Sequence, residues 1–111
     1  MQQVLTNARV FTSLDSTVIE DGGIIIEGNR ITYAGDRADM PATAQDAILH
    51  DLGGRFVMPG MTETHAHLSF ADASPFAIGE TMVEDATITA VKNSRLMLAS
   101  GFTSAVSFGS T

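Results

Sequence analysis

The stretch RFVMPGMTETHAHLSF, Arg55 to Phe70, joins an apolar run to a Pro-Gly and then to two histidines one residue apart. If the residues after Pro59-Gly60 form a strand, alternation puts His65 and His67 on the same side, with Cβ atoms roughly 6 to 7 Å apart. Two neighbouring imidazoles can each reach one metal ion at about 2.0 to 2.1 Å, and imidazole suits Zn, Fe, Ni or Cu. The same spacing also arises where rings sit on a surface or satisfy a buried hydrogen bond, so spacing alone assigns no metal.

Downstream of the histidines, Ser69 to Gly79 reads as a loop of small residues with Pro75. From Val83 to Ala99 the apolar positions Val83, Ala86, Ala90, Val91, Met97 and Leu98 lie close to one face of a helix. Thr81 followed by Glu84 fits a capping box, and Gly101 sits where a C-terminal glycine closes a helix. Phe102 to Phe108 then reads as a strand. Strand, loop, helix, glycine and strand make a βαβ unit, which implies parallel pairing. One such unit cannot bury both faces of a parallel sheet, so the chain reads as the front end of something larger.

Upstream, Gln2 to Phe11 reads as an edge strand, followed by a loop with its turn at Glu20 to Gly23. GIIIEGNRITYAGD has the grammar of a hairpin, with β-branched Ile24 to Ile26, turn residues Glu27-Gly28-Asn29-Arg30, and a return through Ile31 to Ala34. Asp36 to Gln45 has the content of a surface loop, and AILHDL and RFVMPG are two further strand candidates around Gly53-Gly54. A two-sheet or sandwich-like piece is the simplest arrangement.

Composition narrows the function. Thirteen acidic residues against six basic ones give a net charge of -7, with the excess in both halves, so a phosphate backbone would be repelled and nucleic acid is excluded as a partner. With no cysteine, any metal must be held by His, Asp or Glu. The N-terminus lacks the features of a signal peptide, and no apolar run approaches the ~20 residues that span a bilayer. The chain reads as cytoplasmic with no membrane partner, although an exported chain whose signal had been removed would read the same way.

VMPGMTETHAHL (Val57 to Leu68), preceded by HDLGGRF, resembles the signature of the metal-dependent amidohydrolase superfamily at its first barrel strand. ASGFTSAVSF (Ala99 to Phe108) resembles the second strand, most like the imidazolonepropionase and prolidase-like branch, and GIIIEGNRITYAG resembles the N-terminal composite β-sandwich. The resemblance implies an α/β fold: residues 1–56 as N-terminal strands of a β-sandwich, and residues 57–111 as the first βαβ unit of a TIM (β/α)8 barrel, incomplete on its own. In that family His65 and His67 would hold a divalent metal, usually zinc, with one or two ions in the complete site. A further ligand, often a carboxylated Lys, two more His and an Asp would come from later strands. No residue of this segment is assigned a catalytic role of its own.

The reaction implied is hydrolysis of an amide, peptide or related C–N bond in a small substrate. The partners implied are a complementing C-terminal barrel segment or chain and further copies in a homo-oligomer. Two departures stand out: Glu63 replaces the usual Asp, and Thr62 an aliphatic residue. Glu63 shares the histidines' face, so its carboxylate could support the site or pair with a cation from elsewhere in the barrel.

Other residues are weaker candidates. Phe70, Phe76 and Met82 could line a pocket or be ordinary packing, and Asp72 and Glu80 read as solvated surface. Ser104 and Ser107 lack a Gly-x-Ser-x-Gly elbow, and His50 reads as structural or exposed. The competing class is a non-catalytic β-rich binding or assembly chain that retains His-x-His as a structural remnant.

Overall fold

The computed structural model describes residues 1–71 and 81–109, which form two compact units, Met1–Pro59 and Gly60–Thr111. The expectations for Asp72, Phe76 and Glu80 lie outside the described residues.

The first unit is a mixed sheet of four strands: β1 (Gln2–Phe11), β2 (Val18–Glu27), β3 (Arg30–Asp36) and β4 (Ile48–Val57), in the order β3-β2-β1-β4. β1 pairs antiparallel with β2 and parallel with β4, so it lies inside the sheet and is not the edge strand its sequence suggested. The physical reason is its apolar content on both faces: Val4 faces Ile25 across the ladder, and Leu5 faces Ile24. Val4, Ala8, Val10, Ile24 and Ile25 are all buried, with Leu5, Ile19, Ile26, Leu52 and Val57 packed around the cluster of Ala8, Val10 and Ile24. Fully burying side chains of this size stabilises by about 1.5 to 3 kcal/mol each.

The β2-β3 hairpin turns at Gly28-Asn29 as expected, with Gly28 at φ 62 in the first central position, where a II′ turn requires glycine. The turn expected at Glu20 to Gly23 is instead a stretch of β2, in which Gly22 and Gly23 are buried. A Cβ at Gly22 would stand 2.8 Å from Val10 Cβ, so glycine is there for close strand packing and not for a turn. The chain reverses earlier, around Ser13 at φ 66 and an Asp15 side chain that accepts from the Thr17 N–H at 2.7 Å.

The two strand candidates around Gly53-Gly54 are one strand, β4, interrupted by a bulge. Thr6 pairs with Asp51 and Ala8 with Arg55, so two residues of β1 span four of β4, and Gly53 and Gly54 absorb the excess at φ 59 and 78. All four strands belong to one sheet, so the two-sheet arrangement expected of the first half is not formed by these residues.

The second unit holds β5 (Met61–Ala66), α1 (Val83–Ala99) and β6 (Phe102–Ser107), with β5 and β6 parallel. This is the expected βαβ connection. Gly60 enters it at close quarters: a Cβ there would lie 2.7 Å from Thr103 Cβ and overlap the rest of that side chain.

The helix ends as expected, with Gly101 at φ 90 and the Ser100 N–H returning to Leu96 and Met97. Its start differs: the N-cap is Met82 with no side-chain cap hydrogen bond, so the Thr81/Glu84 capping box is not the cap. The inward face also differs. Ala86 is buried and Ala90, Asn93, Ser94 and Met97 are half-buried, whereas Val83, Val91 and Leu98 are exposed. No helix among the described residues is long and apolar enough to cross a membrane.

Candidate functional site

β5 brings its C-terminal end to the candidate site, and His65 and His67 lie at and just beyond that end. Both are exposed. Their side chains converge as strand alternation requires: His65 Nε2 and His67 Nε2 are 3.1 Å apart, with ring centroids 5.0 Å apart and planes at 73°. The β5-β6 ladder fixes the second ring. Phe108 donates its backbone N–H to the Ala66 carbonyl at 2.9 Å, which carries its own carbonyl to 2.7 Å from His67 Nδ1.

A carbonyl only accepts, so Nδ1 carries the proton and the lone pair of the neutral ring is at Nε2. This is the tautomer a metal ligand needs, set by the kind of outer hydrogen bond that commonly orients ligating histidines.

Aromatic neighbours complete the surroundings. Phe70 stacks on His67 with centroids 4.6 Å apart and planes 2° from parallel, and the Phe108 ring tilts against His65 at 5.1 Å. Glu63, read as a possible supporting carboxylate, accepts from the backbone N–H of His65 at 2.9 Å, and so braces the strand that carries the ring. Thr62 pairs across the ladder with Ser104.

Two nitrogens sharing one cation at about 2.0 to 2.1 Å each lie roughly 2.9 to 3.4 Å apart for octahedral to tetrahedral angles. The observed 3.1 Å falls in this range; without a cation the same contact is a hydrogen bond in which the His65 Nε2–H donates to His67 Nε2, and with one the two nitrogens form a donor set suited to a borderline cation such as zinc. Among the described residues no third His, Asp or Glu joins them.

His50, read as structural or exposed, is half-buried in the first unit with Nε2 3.0 Å from Gln3 Oε1. Ser107 contacts the Leu68 backbone N–H at 3.3 Å through its hydroxyl. Phe70, flagged as a pocket or packing residue, lies directly on His67, whereas Met82 stands exposed at the helix start.

The residues that sequence reasoning missed are Phe108, whose contribution is a backbone carbonyl that no side-chain motif reveals, and Asn93. The Asn93 amide donates to the carbonyls of Leu68 at 2.9 Å and Phe70 at 3.1 Å. Its position among Ala86, Ala90 and Met97 on the inward helical face was the available signal.

No protein-family model matches the chain. An imidazolonepropionase of Paracoccus denitrificans (strain Pd 1222) is 39% identical over 72 residues, 61% of this chain and 18% of that protein. A prolidase solved in complex with N-methylphosphonate-L-proline matches with a TM-score of 0.79 and 29% identity, over 95% of this chain and 25% of its own. A protein solved as an amidohydrolase shares the fold, with a TM-score of 0.76 and 24% identity over 95% of this chain and 25% of its own. The chain thus spans less than a fifth of the curated relative and a quarter of these solved chains.

Proposed function

Because this chain corresponds to the N-terminal portion of amidohydrolase-superfamily proteins, we propose that it carries two metal ligands, His65 and His67, of a hydrolase acting on C–N bonds. The observation that carries this reading is the convergence of the two Nε2 atoms to 3.1 Å while the Phe108 carbonyl holds the opposite nitrogen of His67. Zinc, or one or two other divalent ions, when bound supplies an activated water and polarises the scissile carbonyl.

This chain's own residues hold and orient. The Phe108 carbonyl keeps the Nδ1 proton of His67 in place and leaves the lone pair on Nε2, toward His65, and Phe70 covers one face of that ring. Glu63 accepts from the His65 backbone N–H within β5, so the ring starts from a braced Cα. The remaining ligands come from a complementing barrel segment or chain, with unit 2 as the start of a TIM barrel and unit 1 as part of a composite β-sandwich. The complete protein is read as a homo-oligomer. Its substrate is a small amide or peptide, with prolyl peptides and cyclic amides the first classes to try, given the prolidase and imidazolonepropionase likenesses.

The test is hydrolysis of prolyl dipeptides and cyclic amides by the intact protein. Activity removed by a chelator, restored by zinc, and lowered more than about 100-fold in kcat/KM by His67→Ala is expected, a loss beyond that from outer hydrogen-bonding groups. Hydrolysis that survives His67→Ala at the original rate contradicts the assignment, and a metal-loaded protein that cleaves none of these substrates supports a non-catalytic chain.

A further inference from the structure

Residues 68–70, just after β5, are held from two sides: Ser107 of β6 accepts from the Leu68 N–H at 3.3 Å, and α1 reaches the same stretch through Asn93. Asn93, half-buried on the inward face of α1, donates through Nδ2 to two carbonyls, that of Leu68 at 2.9 Å and that of Phe70 at 3.1 Å. Ser69, between those two carbonyls, is buried. An asparagine in mid-helix is a poorer helix former than alanine, so packing alone gives no reason to prefer it at a position flanked by Ala86, Ala90 and Met97. What it supplies is a fork of two donors spaced to fix a three-residue stretch.

That stretch ends in the ring that lies flat on His67. The imidazole is therefore constrained twice. The Phe108 carbonyl selects which nitrogen faces β6, and Phe70 selects the plane of the ring.

We propose that Asn93 is a positioning residue for His67, acting through the Leu68–Phe70 backbone and the Phe70 ring. The proposal rests on the reading that His67 presents Nε2 to a cation, and its first readout does not depend on that reading. Loss of the fork lets the Phe70 ring leave the imidazole, and the ring then samples orientations in which Nε2 no longer meets that of His65.

The experiment uses the intact protein in five forms: wild type, Asn93→Asp, Phe70→Leu, Phe70→Tyr and the Asn93→Asp/Phe70→Leu double variant. Asn93→Ser, which keeps one donor, replaces Asn93→Asp if the latter does not fold. Two quantities are read: the NMR cross-peaks between the Phe70 ring and the His67 C–H protons, and zinc affinity by competition with a chelator. Wild type and Phe70→Tyr are expected to show the cross-peaks and tight zinc. Asn93→Asp is expected to lose the cross-peaks and to bind zinc about 10- to 100-fold more weakly, as does Phe70→Leu, with the double variant no worse than either.

A variant at Asn93 that lowers the melting temperature but keeps both the cross-peaks and the affinity overturns the proposal, as do losses that multiply in the double variant. Cross-peaks present in wild type and lost in Asn93→Asp, together with a wild type that binds no zinc, sustain the positioning role and refute the metal reading instead.

Discussion

His67 owes its tautomer to a backbone atom, and this sets how the site responds to substitution. Replacing Phe108 changes the ring against His65 but leaves the carbonyl on Nδ1, because the β5-β6 ladder and not the side chain places it. Close approach matters as much at Gly60. A methyl group there meets Thr103 at less than contact distance, so Gly60→Ala is expected to cost about 1 to 3 kcal/mol, as overpacking does, read as a fall in the urea midpoint. Adding Thr103→Gly is expected to recover part of it, and an unchanged midpoint in the single variant contradicts the packing argument.

Asp51 shows the same economy. Its Oδ1 accepts from the Gly53 N–H at 2.9 Å and from Asn7 Nδ2 at 2.7 Å, and these bonds, the backbone one first, hold its carboxyl below the usual carboxylate range. The unfolded chain protonates near about 3.9, so the stabilisation is complete above that value and is lost as pH falls through the lower folded value. The stability gap between wild type and Asp51→Asn is therefore expected to be present at about pH 6 and to close toward about pH 2. A gap of the same size at both contradicts it.

At the scale of elements, α1 begins on an apolar residue. Met82 has extended backbone angles suited to an N-cap, but its side chain supplies no acceptor to the N–H groups of the first turn. Met82→Ser or Met82→Asp is expected to raise stability by about 0.5 to 2 kcal/mol, measured by thermal melting, and a neutral or destabilising result refutes the cap assignment.

The helix, its terminal glycine, the parallel β5-β6 connection and the β2-β3 hairpin were legible in the sequence, because each follows from local periodicity or a turn residue. Where the reading failed, long-range packing decided. Gly22-Gly23 and Gly53-Gly54 look like turns as dipeptides, but the first accommodates Val10 across the ladder and the second forms a bulge against Asn7, itself at φ 55. For the candidate site, alternation foretold that the histidines would converge. It could not foretell the Phe108 carbonyl, 41 positions from His67, or the Asn93 fork, 25 and 23 positions from the Leu68 and Phe70 carbonyls it bonds.

At the scale of the molecule, each unit leaves apolar surface open in its own way. In unit 2 only Ala66 and Ala86 are buried among the described apolar residues, while Ile88 is 70% exposed, Leu98 62% and Val106 47%. These exposed apolar side chains on α1 and β6 suit the complementing barrel segment proposed above, since parallel sheets are usually covered on both faces. In unit 1, β3 and β4 are the sheet edges and are largely exposed, with Leu49 at 70%. The account of function depends on one ion shared by two imidazoles. Its most direct test is the zinc content of the intact protein after dialysis, for wild type and the His65→Ala/His67→Ala double variant, with folding checked by circular dichroism. Zinc bound by the wild type and lost from a folded double variant is the result predicted, and zinc retained at the wild-type level without the two histidines, or absent from both proteins after supplementation, would contradict it.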